Sequence, residues 1–174
     1  PYCKFNFSKV SLQMMKLNYF MDLQDHPQVQ KTYDQMTSLK MNADEKIALY
    51  SRMFGYALQF RDRALAEVCR DQLTPLLNGK KGGKAELIRG EVEQLDRIYI
   101  QKDTSLIQEL IEALPECEND EIKSLIAFRI AKLYHYLNEP QQVEIYLNRA
   151  MRYTNNDKNR KSLMAMISDP SELD

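Results

Sequence analysis

The stretch Gly79-Lys80-Lys81-Gly82-Gly83-Lys84 is the place in this chain where residue types and spacing first suggest chemistry. Glycines that free main-chain amides, with a lysine beside them, are what a phosphate loop uses to cradle a nucleotide. Such a loop reads G-x-x-x-x-G-K followed by Ser or Thr, and it follows a strand. Counting back from Gly83-Lys84 puts Asn78 at the first glycine and Ala85 at the hydroxyl, and the preceding pattern is helical. Both diagnostic ends fail. The stretch reads instead as an exposed linker, able at most to hold an anion near the start of the next helix.

Other chemistry is thinly represented. His26 and His135 are far apart, and neither has a Cys or His at metal-ligand spacing. The cysteines Cys3, Cys69 and Cys117 are odd in number and widely spaced, unlike a disulfide framework. They read as ordinary thiols, Cys69 in a helix core, which leans toward a reducing compartment. No H-E-x-x-H, C-x-x-C or G-x-S-x-G occurs. The carboxylates are spread along helix surfaces. The sequence therefore gives no reason to expect a metal or a cofactor, and the chain is read as non-enzymatic.

The elements that carry these residues are helices. Apolar residues recur at three- and four-residue steps almost throughout, and strand signals are nearly absent. The pattern predicts helices near 8–23, 27–40, 44–61, 63–78, 84–101, 104–114, 119–138, 140–153 and 157–167. Pro27 and Pro140 suit first helical positions, where a missing N–H costs nothing. Asp44 or Asn42 can cap the third helix, and Asp103 or Thr104 the sixth. Asn78-Gly79 stops the fourth, and Pro75 can kink its final turn. Connections are short, so consecutive helices are expected to pack as antiparallel neighbours.

Composition is that of an ordinary soluble chain. The 174 residues are 44% hydrophobic and 28% charged, with 24 basic and 25 acidic side chains, so one domain with a sizeable core is expected. A net charge of -1 gives no global pull toward nucleic acid or an anionic membrane. The longest charge-free stretch, about residues 53–60, is far short of the roughly 20 apolar residues that a membrane helix needs. The chain opens on Pro1-Tyr2-Cys3 and not on Met, as a fragment or a processed product would. A cytoplasmic setting is favoured, with an extracytoplasmic soluble domain as the alternative for a fragment.

The helix pairs repeat. Ala131, Tyr134, Val143, Leu147 and Ala150 are separated by steps of 3, 9, 4 and 3. The same steps recover Leu17, Phe20, Val29, Tyr33 and Met36. They recover Leu95, Ile98, Ile107, Ile111 and Leu114, and also Ala57, Phe60, Cys69, Leu73 and Leu76. The lead residues 17, 57, 95 and 131 are offset by 40, 38 and 36. A rival register for the second set is led by Gly55, with Ala66 on the following helix.

This pattern resembles the tetratricopeptide repeat, a helix–turn–helix of about 34 residues with a small-x-x-aromatic step on its first helix. The likeness covers roughly residues 8–153 and is closest in the last set, at Ala131 and Tyr134. It departs in Val143 and Ile107, where the family usually has Ala, in the lack of Pro after the second helices, and in the longer offsets. The fold expected is all-α: a right-handed stack of about four antiparallel helix pairs, approximately 8–40, 44–78, 84–114 and 119–153. Asp157 to Ile167 suits a capping helix, and Tyr2, Phe5 and Phe7 are placed to cover the other end.

The resemblance also implies a binding surface, because first helices line a concave groove in such arrays. The last pair would present Phe128, Lys132, His135 and Tyr136, and the third Arg89, Val92, Asp96 and Tyr99. The second would present Arg52, Tyr56 and Gln59, or Phe54 and Arg61 in the other register. The first would present Met14, Asn18 and Met21. Aromatic, cationic and amide groups together suit an extended peptide. The Lys and Asn set with which one subset of the family clamps C-terminal carboxylates is not assembled here. Charge adds a second signal: seven acidic residues and no basic ones lie between Asp103 and Glu121, a ridge suited to a basic partner. Arg149, Arg152, Lys158, Arg160 and Lys161 make the C-terminal end basic.

The function expected is a non-catalytic protein or peptide interaction module, a scaffold that binds a partner or assembles with itself as a homo-oligomer. A peptide-responsive regulatory receptor domain is the alternative, and a helical-bundle enzyme the third. No nucleic acid or membrane contact is expected.

Overall fold

The computed structural model describes residues 8–173, and these are helical with no strand among them. The expected contributions of Cys3, Tyr2, Phe5 and Phe7 lie outside the described residues. The chain divides into two compact units, Pro1–Val92 and Glu93–Asp174.

The first unit holds α1 (Lys9–Asp22), α2 (His26–Thr37), α3 (Ala43–Gln59) and α4 (Arg63–Asn78), and α5 (Gly83–Leu95) runs across the division. The helices pack as consecutive pairs, α1 on α2 and α3 on α4. Their starts are set by side chains that accept otherwise unpaired amides. Ser8 accepts from the amide of Ser11, Asp25 from Gln28, and Asp62 from Leu65. Asn42, and not Asp44, caps α3: Asn42 accepts from the amide of Glu45 while the Glu45 carboxylate accepts from that of Asn42, each at 2.9 Å. Reciprocal bonding of this kind satisfies two donors at once. Pro27 lies in the first turn of α2, as expected. Leu17, Met36, Met53, Ala57, Cys69 and Leu73 are fully buried between the helices.

The second unit contains a π turn (Asp96–Ile100), α6 (Leu106–Glu116), α7 (Asp120–Tyr136), α8 (Pro140–Tyr153), α9 (Asp157–Ser168) and a closing 3-10 turn (Pro170–Leu173). Here α7 is central, packing on both α6 and α8, while α9 rests on α8. One buried cluster joins Ile98, Leu106, Leu110, Leu114, Ala131, Leu147, Leu163 and Leu173. Burying a leucine stabilises a fold by about 1.5–3 kcal/mol. The continuous helix expected over 84–101 gives way at Leu95 to the π turn, closed by the Gln101 amide on the Asp96 carbonyl. A π turn places one extra residue in the coil and rotates all that follows. In α6, beyond the loop that follows, Leu106, Leu110 and Leu114 are buried and Ile107 and Ile111 only half-buried.

A common turn links helices within both units. Gln24, Arg61, Lys102 and Asn138 all have φ between 54° and 59°. Each is followed by an acidic residue, Asp25, Asp62, Asp103 or Glu139, whose amide bonds back to the preceding helix. The bond runs five residues back at Asp25, Asp62 and Glu139, and six at Asp103, where the π turn intervenes. This closes the free carbonyls at a helix end in the manner of a Schellman motif, without the usual glycine.

Candidate functional site

In the second unit, α7 projects Lys132 from the middle of a packed helix, and its side chain is only 5% exposed. A buried ammonium needs partners, because removal from water is costly. The Lys132 Nζ donates to the main-chain carbonyl of Leu173, itself 1% exposed. It also lies 5.2 Å from the centre of the Tyr99 ring and 5.3 Å from that of Tyr136. Lys102 approaches the same Tyr136 ring at 4.8 Å. One ammonium group thus joins two phenol rings to a main-chain carbonyl, and a second lies on the Tyr136 ring, each cation stabilised by the electron-rich ring faces.

Three elements build this seat. Lys132 and Tyr136 are four residues apart and share a face of α7. Tyr99 comes from the π turn, which brings it to that face. Lys102 is held in left-handed backbone just after the turn, with φ 54°. Beside them, Asp96 is buried and accepts from Gln101 Nε2 at 2.6 Å. Asp103 accepts from the Ser105 hydroxyl at 2.6 Å and from Arg97 Nε at 2.8 Å. Those bonds, the Ser105 hydroxyl foremost, hold its carboxyl below the usual carboxylate range. Phe128 is half-buried and packs against the core, and His135 is half-buried beside Tyr136, ring centres 6.3 Å apart.

The remaining expected site residues lie in the first unit. Tyr56 is half-buried, and its hydroxyl meets His26 Nδ1 at 2.5 Å. Phe60 closes edge-on against the His26 ring at 4.3 Å. This aromatic trio lines a cavity of about 400 Å³ that also touches Val29, Met53 and Leu65. Burial pushes the Tyr56 hydroxyl above its ordinary pKa, with a smaller push from the Asp25 carboxylate. Arg52 is exposed and lines a second cavity, of about 640 Å³, with Lys80, Lys81 and Lys84. Its guanidinium donates to the Ala48 carbonyl of its own helix at 3.0 Å.

Arg89 reaches back to α4, donating to the carbonyls of Leu77 at 2.8 Å and Lys80 at 3.3 Å, and so ties off that helix end. Asn18 and Met21 are half-buried on α1, as is Met14. Gln59 is exposed, Val92 and Phe54 are buried, and Arg61 occupies the turn after α3.

Sequence reasoning did not single out Lys102 or Leu173, nor Arg129 on the same helix as Lys132, which is 4% exposed and donates to Gln94 Oε1. An arginine and a lysine three residues apart on a strongly apolar helix, at 129 and 132, were the available signal. Among the described residues, no group of three or more His, Cys, Asp or Glu side chains is placed to hold a metal ion, and no helix is long and apolar enough to cross a membrane.

No family model matches the chain, and neither a curated protein nor a solved structure shows significant similarity to it.

Proposed function

We propose that the chain is a non-catalytic interaction module that grips a peptide segment of a partner protein on the first helices of tetratricopeptide-like pairs. The single observation that carries this reading is the seat on α7. A buried ammonium there, flanked by Tyr99 and Tyr136, gives its hydrogen bond to a main-chain carbonyl of a short 3-10 turn. Recognition through main chain is sequence-tolerant, while the apolar surroundings select a side chain. Tyrosine gives large, rigid contact area at low entropic cost.

The reading of the whole chain as a right-handed stack of about four pairs draws on two regularities. The same left-handed turn followed by an acidic residue recurs at Gln24, Arg61, Lys102 and Asn138. The small residues at the lead of two sets, Ala57 and Ala131, are both fully buried.

A photo-cross-linking amino acid at position 135, on α7, tests the assignment against one at position 145, on α8, where Ile145 is exposed. Partner adducts should form from position 135. Adducts confined to position 145 would overturn the assignment.

A further inference from the structure

The seat on α7 is filled by the chain itself, and the manner of filling specifies a ligand. The occupant is the 3-10 turn Pro170–Leu173, in which Leu173 is buried while Pro170, Ser171 and Glu172 are exposed. The turn carries its own scaffold. Asp169 Oδ1 accepts from the Ser171 amide at 3.1 Å and from its hydroxyl at 2.7 Å, and the Glu172 amide donates to the Asp169 carbonyl at 3.0 Å. Its shape is therefore set locally, by bonds the seat does not supply. It joins α9 through Asp169, whose backbone is extended, with φ -137° and ψ 94°. Charge points the same way: Lys132 is at the seat and Lys102 is on the Tyr136 ring beside it, while Asp169 and Glu172 precede the leucine.

Resting on the groove reading above, we infer that Pro170–Leu173 is a resident pseudo-ligand, and that the external ligand of the seat is an acidic peptide turn presenting one leucine. The incoming leucine takes the place of Leu173 in the apolar cluster. The carbonyl of that leucine accepts from Lys132, and the carboxylates that precede it are favoured by the positive charge there. Because one seat serves both segments, occupation in cis and in trans is mutually exclusive. The resident turn sets the affinity for the partner by competition, and an opened turn removes the competition.

The test uses the full chain and a fluorescein-labelled peptide with the sequence of residues 168–174, followed by fluorescence polarisation. Leu173→Ser vacates the apolar seat. Asp169→Ala with Ser171→Ala loosens the turn and leaves every buried residue in place, so it serves if the first variant does not fold. Either opened variant should bind the peptide at least about tenfold more tightly than the wild type, the gain expected when a resident holds the seat at least nine-tenths of the time. A peptide with Ser in place of its leucine should show no gain. Adding Lys132→Met to the opened variant should abolish the gain.

Equal affinity of wild type and both opened variants would overturn the inference. If adducts still form from position 135 in that case, the groove reading stands and the resident-ligand reading alone fails. Dimerisation of the wild type that Leu173→Ser abolishes would assign the trans occupant to a second copy of the chain and overturn the external peptide.

Discussion

Lys132 Nζ donates to the main-chain carbonyl of Leu173, 41 residues further along the chain. The bond joins the middle of a packed helix to a turn that follows the last helix, and both partners are buried. Everything proposed for this chain depends on what that bond is for. Its contribution to the fold can be measured by itself. Lys132→Met keeps the apolar stem and removes the donor, leaving a buried carbonyl unsatisfied. Urea denaturation should show a loss of about 1–3 kcal/mol, the range for leaving a buried acceptor unsatisfied. An unchanged midpoint would mean that the ammonium and the carbonyl are not bonded in solution.

Ala131, next to that lysine, is fully buried in α7. Ala131→Leu adds three carbons where α7 and α8 meet, and overpacking of this kind costs about 1–3 kcal/mol. Ala113→Leu, on the exposed side of α6, should stay within about 0.5 kcal/mol. Thermal unfolding of the two variants separates a packed small-residue position from an incidental one.

The left-handed turns offer a gain in stability. A non-glycine residue in this conformation costs roughly 1–2 kcal/mol, least for Asn. Gln24→Gly should therefore stabilise the chain by about 0.5–1 kcal/mol, after allowing for the entropy that glycine adds to the unfolded chain. Asn138→Gly should gain less. If Gln24→Gly destabilises the chain by as much, the turn after α1 is not left-handed.

Cys69 supplies a pH-dependent prediction. It is fully buried in α4, and its sulfur faces the Tyr33 hydroxyl at 3.9 Å. Burial pushes the thiol up to about 11 from an ordinary 9.0, against the opposing pull of the Tyr33 hydrogen bond. The folded state holds the proton more tightly than the unfolded state. The associated stability is thus fully present below pH 9 and is lost as pH rises through about 11. Denaturation midpoints should fall across that window, and Cys69→Ala should flatten the fall. At pH 8 an alkylating reagent should modify the half-buried Cys117 well before Cys69, read by peptide mass spectrometry.

Much of the helical layout was legible because it is written locally. Pro27 and Pro140 mark helix starts, Asn42 meets Glu45 three residues on, and the apolar steps of α7 and α8 fix their mutual faces. What was not legible depends on distant partners or on rare backbone. The π turn at Asp96–Ile100 leaves no mark in a three-to-four-residue rhythm, and α6, set beyond a loop, buries Leu106 and Leu110 while Ile107 and Ile111 are only half-buried. The turns at Gln24, Arg61 and Lys102 use residues that ordinarily avoid left-handed backbone, so the usual search for glycine passes them over. That Lys132 and Tyr136 share a face of α7 follows from their four-residue spacing. Their covering by Leu173 lies beyond any periodicity, because a four-residue turn far along the chain has no pattern that names its destination.

The most direct measurement is amide hydrogen exchange of the isotope-labelled wild-type chain in the presence of a large excess of unlabelled peptide with the sequence of residues 168–174. If the seat on α7 takes an acidic leucine-bearing peptide in place of its own turn, exchange at Leu173, the buried residue of that turn, speeds up as peptide is added, while the amides within α7 stay protected. Unchanged exchange at Leu173 under saturating peptide would contradict the account.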